Sequence, residues 1–78
     1  METTIDVTIP VPAKEQIAEQ LRQAIKSGEY TDRLPSVNEL ADMFSVAPGT
    51  AQRALNILKA EGLTVGRPGV GTFIRRTQ

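Results

Sequence analysis

The spacing of apolar positions along the chain switches between strand-like and helical. In the opening stretch "METTIDVTIPVP", Ile5, Val7, Ile9 and Val11 alternate with other residues at a strand-like period. Pro10 and Pro12 carry no amide proton, which limits the stretch to an edge strand or an extended arm. From Ala13 to Ser27 the period becomes helical, with Ile17, Leu21, Ala24 and Ile25 on one face and Gly28 as a stop. A second, short helix is expected over 36–44. Ser36 follows Pro35 and Glu39 stands three residues on, the signature of a capping box. Val37, Leu40, Ala41 and Phe44 make the apolar stripe of that helix. "SVA" at 45–47 forms a turn, and a third helix runs from Pro48 to Glu61, ending at Gly62. Beyond it, β-branched and aromatic residues flank a Gly-Arg-Pro-Gly-Val-Gly centre. This predicts two short strands, 63–66 and 71–75, joined by a loop.

The predicted fold is mainly α with a small β-hairpin (α+β). Residues 1–11 form an extended N-terminal arm, 12–75 one domain and 76–78 a C-terminal tail. Ile17, Leu21, Leu40, Phe44, Leu55, Leu58 and Phe73 are expected in the core.

Composition narrows the chemistry. The 78 residues suffice for one small core. There is no Cys, so disulfides and thiolate metal sites are excluded. There is no His, which removes the commonest general base and metal ligand. No paired acidic motif suggests a magnesium site, so no enzyme activity, cofactor or metal is expected. No apolar run approaches the roughly 20 residues of a membrane span, and the early acids do not fit a secretory signal. A soluble cytoplasmic protein is expected.

Net charge is zero, but it is unevenly distributed. Residues 1–32 carry six acids and three cations, and residues 33–78 carry six cations and three acids. The C-terminal half therefore has the means to present a basic face.

On a helical wheel, Ala51, Ala54, Leu55 and Leu58 of the third helix face inward. The opposite stripe is Gly49, Gln52, Arg53 and Asn56. A merely solvated helix carries mixed Glu and Lys there, whereas Gln pairs bidentately with adenine and Arg with guanine in the DNA major groove. Pro48 suits the first helical position, Gly49 lets a phosphate strand approach the backbone, and Thr50 adds a hydroxyl. A solvent-facing stripe on a structural helix is the competing reading. The short capped helix, tight turn and second helix form a helix-turn-helix, and the hairpin after it makes a winged helix. Arg67, among Gly66, Gly69 and Gly71, is placed for contact with the DNA backbone or entry to a minor groove. The same glycines serve a tight hairpin needing positive φ.

Residues 34–74, "LPSVNELADMFSVAPGTAQRALNILKAEGLTVGRPGVGTFI", resemble the DNA-binding domain of the GntR family of bacterial transcription regulators. Leu34-Pro35-Ser36, Glu39-Leu40-Ala41, Val46, Thr50, Ala54-Leu55, Leu58, Glu61-Gly62-Leu63 and Gly69-x-Gly71-Thr72-Phe73 carry the resemblance. The stretch 12–30 is similar to the family's first helix.

The resemblance implies a winged helix-turn-helix that binds double-stranded operator DNA, commonly as a homodimer on a palindrome, and acts as a repressor. By position it implies DNA contacts at Ser36, Asn38, Ala47, Pro48, Gly49, Thr50, Gln52 and Gly69. The chain departs from the family at Asn38, Pro48 and Gln52, where the family usually or often has Arg. Arg33, Arg53 and Arg67 are the cations available to compensate. Family members normally carry a C-terminal effector-binding and dimerising domain; the 78 residues hold none after the wing, as expected of either an excised domain or a naturally minimal protein. The arm is a candidate to pair with a strand of a second copy, a tail or an intramolecular edge strand. The alternative function is a winged-helix adaptor that contacts protein and has little DNA binding.

Overall fold

The computed structural model describes residues 3–75. Its elements are α1 (Ala13–Ser27), α2 (Val37–Phe44), α3 (Pro48–Ala60), β1 (Thr64–Arg67) and β2 (Gly71–Ile74). Helix α1 ends at Gly28, whose φ of 84° is left-handed, and the Glu29 amide donates back to the Ala24 carbonyl at 2.9 Å. Helix α2 begins on the expected capping box. The Glu39 amide donates to Ser36 Oγ at 3.1 Å and the Ser36 amide donates to Glu39 Oε1 at 2.9 Å. It ends at Ser45, the one non-glycine residue of positive φ among the described residues, at 56°. The Val46 amide then donates to the Ala41 carbonyl at 3.0 Å, turning the chain so that α3 starts with Pro48.

Ile17, Ala18 and Leu21 of α1, Leu40 and Phe44 of α2 and Ala51, Ala54, Leu55 and Leu58 of α3 form one buried cluster, closed by Leu34. Helix α1 is also tied to the end of α3. Arg22 Nε and Nη2 donate to Glu61 Oε1 and Oε2 at 2.9 and 2.6 Å, while Nη1 reaches Glu19.

The hairpin pairs Thr64 with Ile74, Val65 with Phe73, Gly66 with Thr72 and Arg67 with Gly71. Its tip is a Pro-Gly turn. Gly69 has φ 75° and the Val70 amide donates to the Arg67 carbonyl at 3.0 Å, the type II arrangement that needs glycine at its third position. A third short segment borders β2. Arg33 bridges Phe73, the Leu34 amide donates to the Thr72 carbonyl at 3.0 Å and the Ile74 amide donates to the Asp32 carbonyl at 2.8 Å. The connection between α1 and α2 is thereby stitched to the wing.

Two expectations are corrected. Phe73 is half-buried rather than part of the core. It shares the outer face of the hairpin with its partner Val65, which is 41% exposed, and with Arg67, whose guanidinium lies 5.5 Å from the ring centroid. The inner face belongs to Thr64 and Ile74. The alternating stretch before Pro12 forms neither a strand nor an extended arm. Asp6 Oδ1 accepts from the Thr8 amide at 2.9 Å, starting a series of turns and bends over residues 7–11. Gln16 holds the turned segment. Its Oε1 accepts from the Asp6 amide, and its Nε2 donates to the carbonyls of Asp6 and Val11, each at 2.8 Å. Gln20 Nε2 donates to the Thr4 carbonyl at 3.0 Å, and Ile5 packs on the core. Local side-chain partners have replaced a strand ladder here. The expected tail 76–78 lies outside the described residues.

Candidate nucleic-acid interface

Helix α3 buries Ala51, Ala54, Leu55 and Leu58, which leaves Gly49 and Asn56 on its outermost line. Successive residues rotate by about 100°, so Gln52 and Lys59 fall on one flank of that line and Thr50 and Arg53 on the other. On the first flank lies an open groove of about 540 Å³ between α3 and the wing. Ser36, Gln52, Lys59, Arg67, Gly69 and Thr72 are among its lining residues, and none of the lining residues is acidic. Gln52 Nε2 donates to Asn56 Oδ1 at 3.0 Å, which fixes the Gln52 amide along the helix surface. The Lys59 ammonium reaches over the hairpin, where a Cβ on Gly66 would lie 3.7 Å from Nζ.

The second flank faces the start of α1. Thr50 and Arg53 line an open cleft of about 290 Å³ with Pro12, Ala13 and Lys14. Pro48, Gly49 and Asn56 are exposed between the two depressions. Arg33 sits outside both linings, paired through its backbone with Phe73, and its side chain runs along β2 toward the tip, with Cδ 3.6 Å from the position of a Gly71 Cβ. It is near enough to Glu39 to add to the lowering of that carboxyl, which stems first from hydrogen bonds with the Ser36 amide and hydroxyl. Asn38 is exposed on the first turn of α2, outside the linings, and Ala47 is the exposed N-cap of α3.

The predicted positions therefore do not form one patch. Ser36, Gln52, Arg67 and Gly69 converge on the wing groove, and Thr50 and Arg53 turn to the opposite side. Lys59 was not singled out from the sequence, although it lies seven residues after Gln52 on the same stripe. Lys14 was also missed, because only packing of α1 against α3 brings it into one cleft with Thr50 and Arg53. Chemically, the groove offers an amide that matches adenine in the major groove, with the Lys59 ammonium on the same flank and Arg67 at the wing end, its guanidinium resting over Phe73. Among the described residues no cluster of acids has the makings of a metal site, and no helix is long and apolar enough to cross a membrane.

Known proteins share both the sequence and this shape. The NagR transcriptional repressor of Bacillus subtilis is 41% identical over 69 residues, covering 86% of this chain and 28% of its own length. The chain thus spans less than a third of that relative. The YtrA repressor of B. subtilis is 36% identical, covering 90% of this chain and 55% of its own. Among solved structures, YtrA from Sulfolobus acidocaldarius, a GntR-family transcription factor, superposes with a TM-score of 0.88 at 31% identity. That match covers 100% of this chain and 84% of the other. The AraR DNA-binding domain in complex with operator ORX1 superposes at 0.81 and 27% identity, covering 91% and 87% of the two chains. The family profile of bacterial regulatory proteins of the gntR type matches residues 13–74, spanning all three helices and the wing. The chain belongs to the GntR family.

Proposed function

We propose that the chain is a sequence-specific DNA-reading module of a transcriptional repressor. The observation that carries this reading is the acid-free groove between α3 and the wing, lined by Gln52 and Lys59 of α3 and by the Arg67–Gly69 end of the hairpin. Gln52 and the outward line of Gly49 and Asn56 meet base edges in the major groove, and Lys59 and Arg67 meet phosphate. The Pro68-Gly69 tip brings the wing to the backbone or an adjacent minor groove. The likeness to AraR bound to its operator supports the same docking. A DNA reader of this kind works in the cytoplasm, as a binder rather than a catalyst. A single half-site module binds weakly, so two copies on a palindrome supply the working affinity.

Selection from random duplexes, followed by anisotropy titrations over a salt series, tests this. The expected result is one enriched motif, bound with a negative log–log salt slope. A symmetric motif supports pairing of two copies. Flat anisotropy down to low salt overturns the reading and favours the protein-contact adaptor instead.

A further inference from the structure

We propose that Lys14, Thr50 and Arg53 form a phosphate clamp for the DNA backbone on the flank of α3 away from the wing. The inference rests on the DNA-reading function proposed above. It gives Arg53 a different task from Gln52, its neighbour in sequence, and makes the start of α1 a DNA contact.

Three observations carry it. First, the first turns of α1 and α3 open onto one cleft, lined by Pro12, Ala13, Lys14, Thr50 and Arg53, with two cations and no carboxylate. Neither Lys14 nor Arg53 forms an ion pair among the described residues, whereas Arg22 is held by Glu19 and Glu61. An anion seated in the cleft therefore meets two exposed cations and no competing carboxylate from the lining. Second, Arg53 does not reach toward the wing. The nearest atom to a Cβ built on Gly49 is Arg53 Nη1, at 3.9 Å. The guanidinium therefore lies back over the first turn of α3, on the line helical side chains follow toward the N-terminus. Third, a helix seated in the major groove has one phosphate strand on each side. Lys59 and Arg67 stand on the wing side, and Lys14 and Arg53 on the other.

The Gln16 bonds to Asp6 and Val11 hold the preceding segment against α1 and fix where Pro12 starts the helix, and hence where Lys14 points. Gln16 is in this sense a positioning residue.

The test compares wild type, Lys14→Gln, Arg53→Gln and the control Lys26→Gln, which lies in the last turn of α1. Each is titrated over a salt series against the selected duplex and against random duplexes, with circular dichroism to verify folding. Lys14→Gln and Arg53→Gln are expected to weaken both duplexes by the same factor. Each is expected to make the log–log salt slope shallower by about one, with the base preference unchanged and Lys26→Gln matching wild type. If Arg53→Gln relaxes preference at one base position, Arg53 reads a base and the clamp is overturned. If Lys14→Gln keeps wild-type affinity and slope, the cleft holds no phosphate; this variant decides alone should Arg53→Gln fail to fold. Failure of wild type to bind any duplex overturns the DNA-reading function and the clamp together, an outcome distinct from both.

Discussion

The Arg22 guanidinium forks onto the Glu61 carboxylate at 2.9 and 2.6 Å, joining the middle of α1 to the C-cap of α3. Glu61 is held below the usual glutamate range, first by the hydrogen bonds from Arg22, and Arg22 is raised in turn by Glu61. Glu19 is lowered by its bond from Gln23 and Glu39 by the capping box. A carboxyl with a lowered folded-state pKa stabilises the fold above its unfolded value, and that contribution is lost as pH falls through the folded-state value. Melting temperature is therefore expected to fall from about pH 4.3 downward. Glu61→Gln is expected to lower the neutral-pH melting temperature slightly and flatten this acid limb. An unchanged limb would show that the fork contributes nothing to stability.

Leu58 and Phe73 separate the core from its margin. Leu58 is fully buried at the centre of the cluster, and Leu58→Ala is expected to cost about 2–5 kcal/mol. Phe73 lies half-exposed under Arg67, so Phe73→Ala is expected to cost less than Leu58→Ala. Urea unfolding of the two variants measures both, and equal costs would mean that the hairpin's outer face is core after all.

Ser45 ends α2 in the left-handed region at φ 56°, where a side chain costs energy that glycine does not incur. Glycine also loosens the unfolded chain, which offsets part of the gain. Ser45→Gly is expected to raise stability by about 0.5 kcal/mol in chemical denaturation. A loss of stability would show that the serine makes a compensating contact in the turn.

Gln52 and Asn56 are bonded to each other in the outward stripe of α3. Gln52→Ala is expected to weaken the selected duplex by about 1–3 kcal/mol relative to random duplexes while leaving the salt slope unchanged. Asn56→Ala removes the partner that orients the amide, so it should lose discrimination in the same direction but less. Competition titrations read both. A uniform loss across sequences would move Gln52 from base reading to phosphate contact.

Much of this architecture was legible residue by residue. Ser36 and Glu39 announced α2, Pro48 announced α3, and the glycine-rich centre 66–71 announced the wing loop, because each signal is local and names its own backbone geometry. What escaped needed partners distant in sequence. The alternation of Ile5 to Val11 has the period of a strand, but the Gln16 amide captures the backbone of Asp6 and Val11, and Gln20 that of Thr4 just before them. Phe73 has a core residue's chemistry, but hairpin register assigns it to the outer face. The pairing of residues 32–34 with β2 involves too few residues to show any period. Lys14 comes beside Thr50 and Arg53 only once α1 lies across α3.

That last strip of pairing has a mechanical meaning. Because the Leu34 and Ile74 amides bind the α1–α2 connection to β2, the wing cannot swing without dragging the start of α2 with it. The wing and the start of α2 thus share one hydrogen-bonded frame, beside which α3 lies. Association then orders a few long side chains rather than a hinge, which keeps its entropic penalty small. On the DNA-reading function proposed above, such a module selects duplexes whose groove already matches its shape, in addition to any base identity it reads.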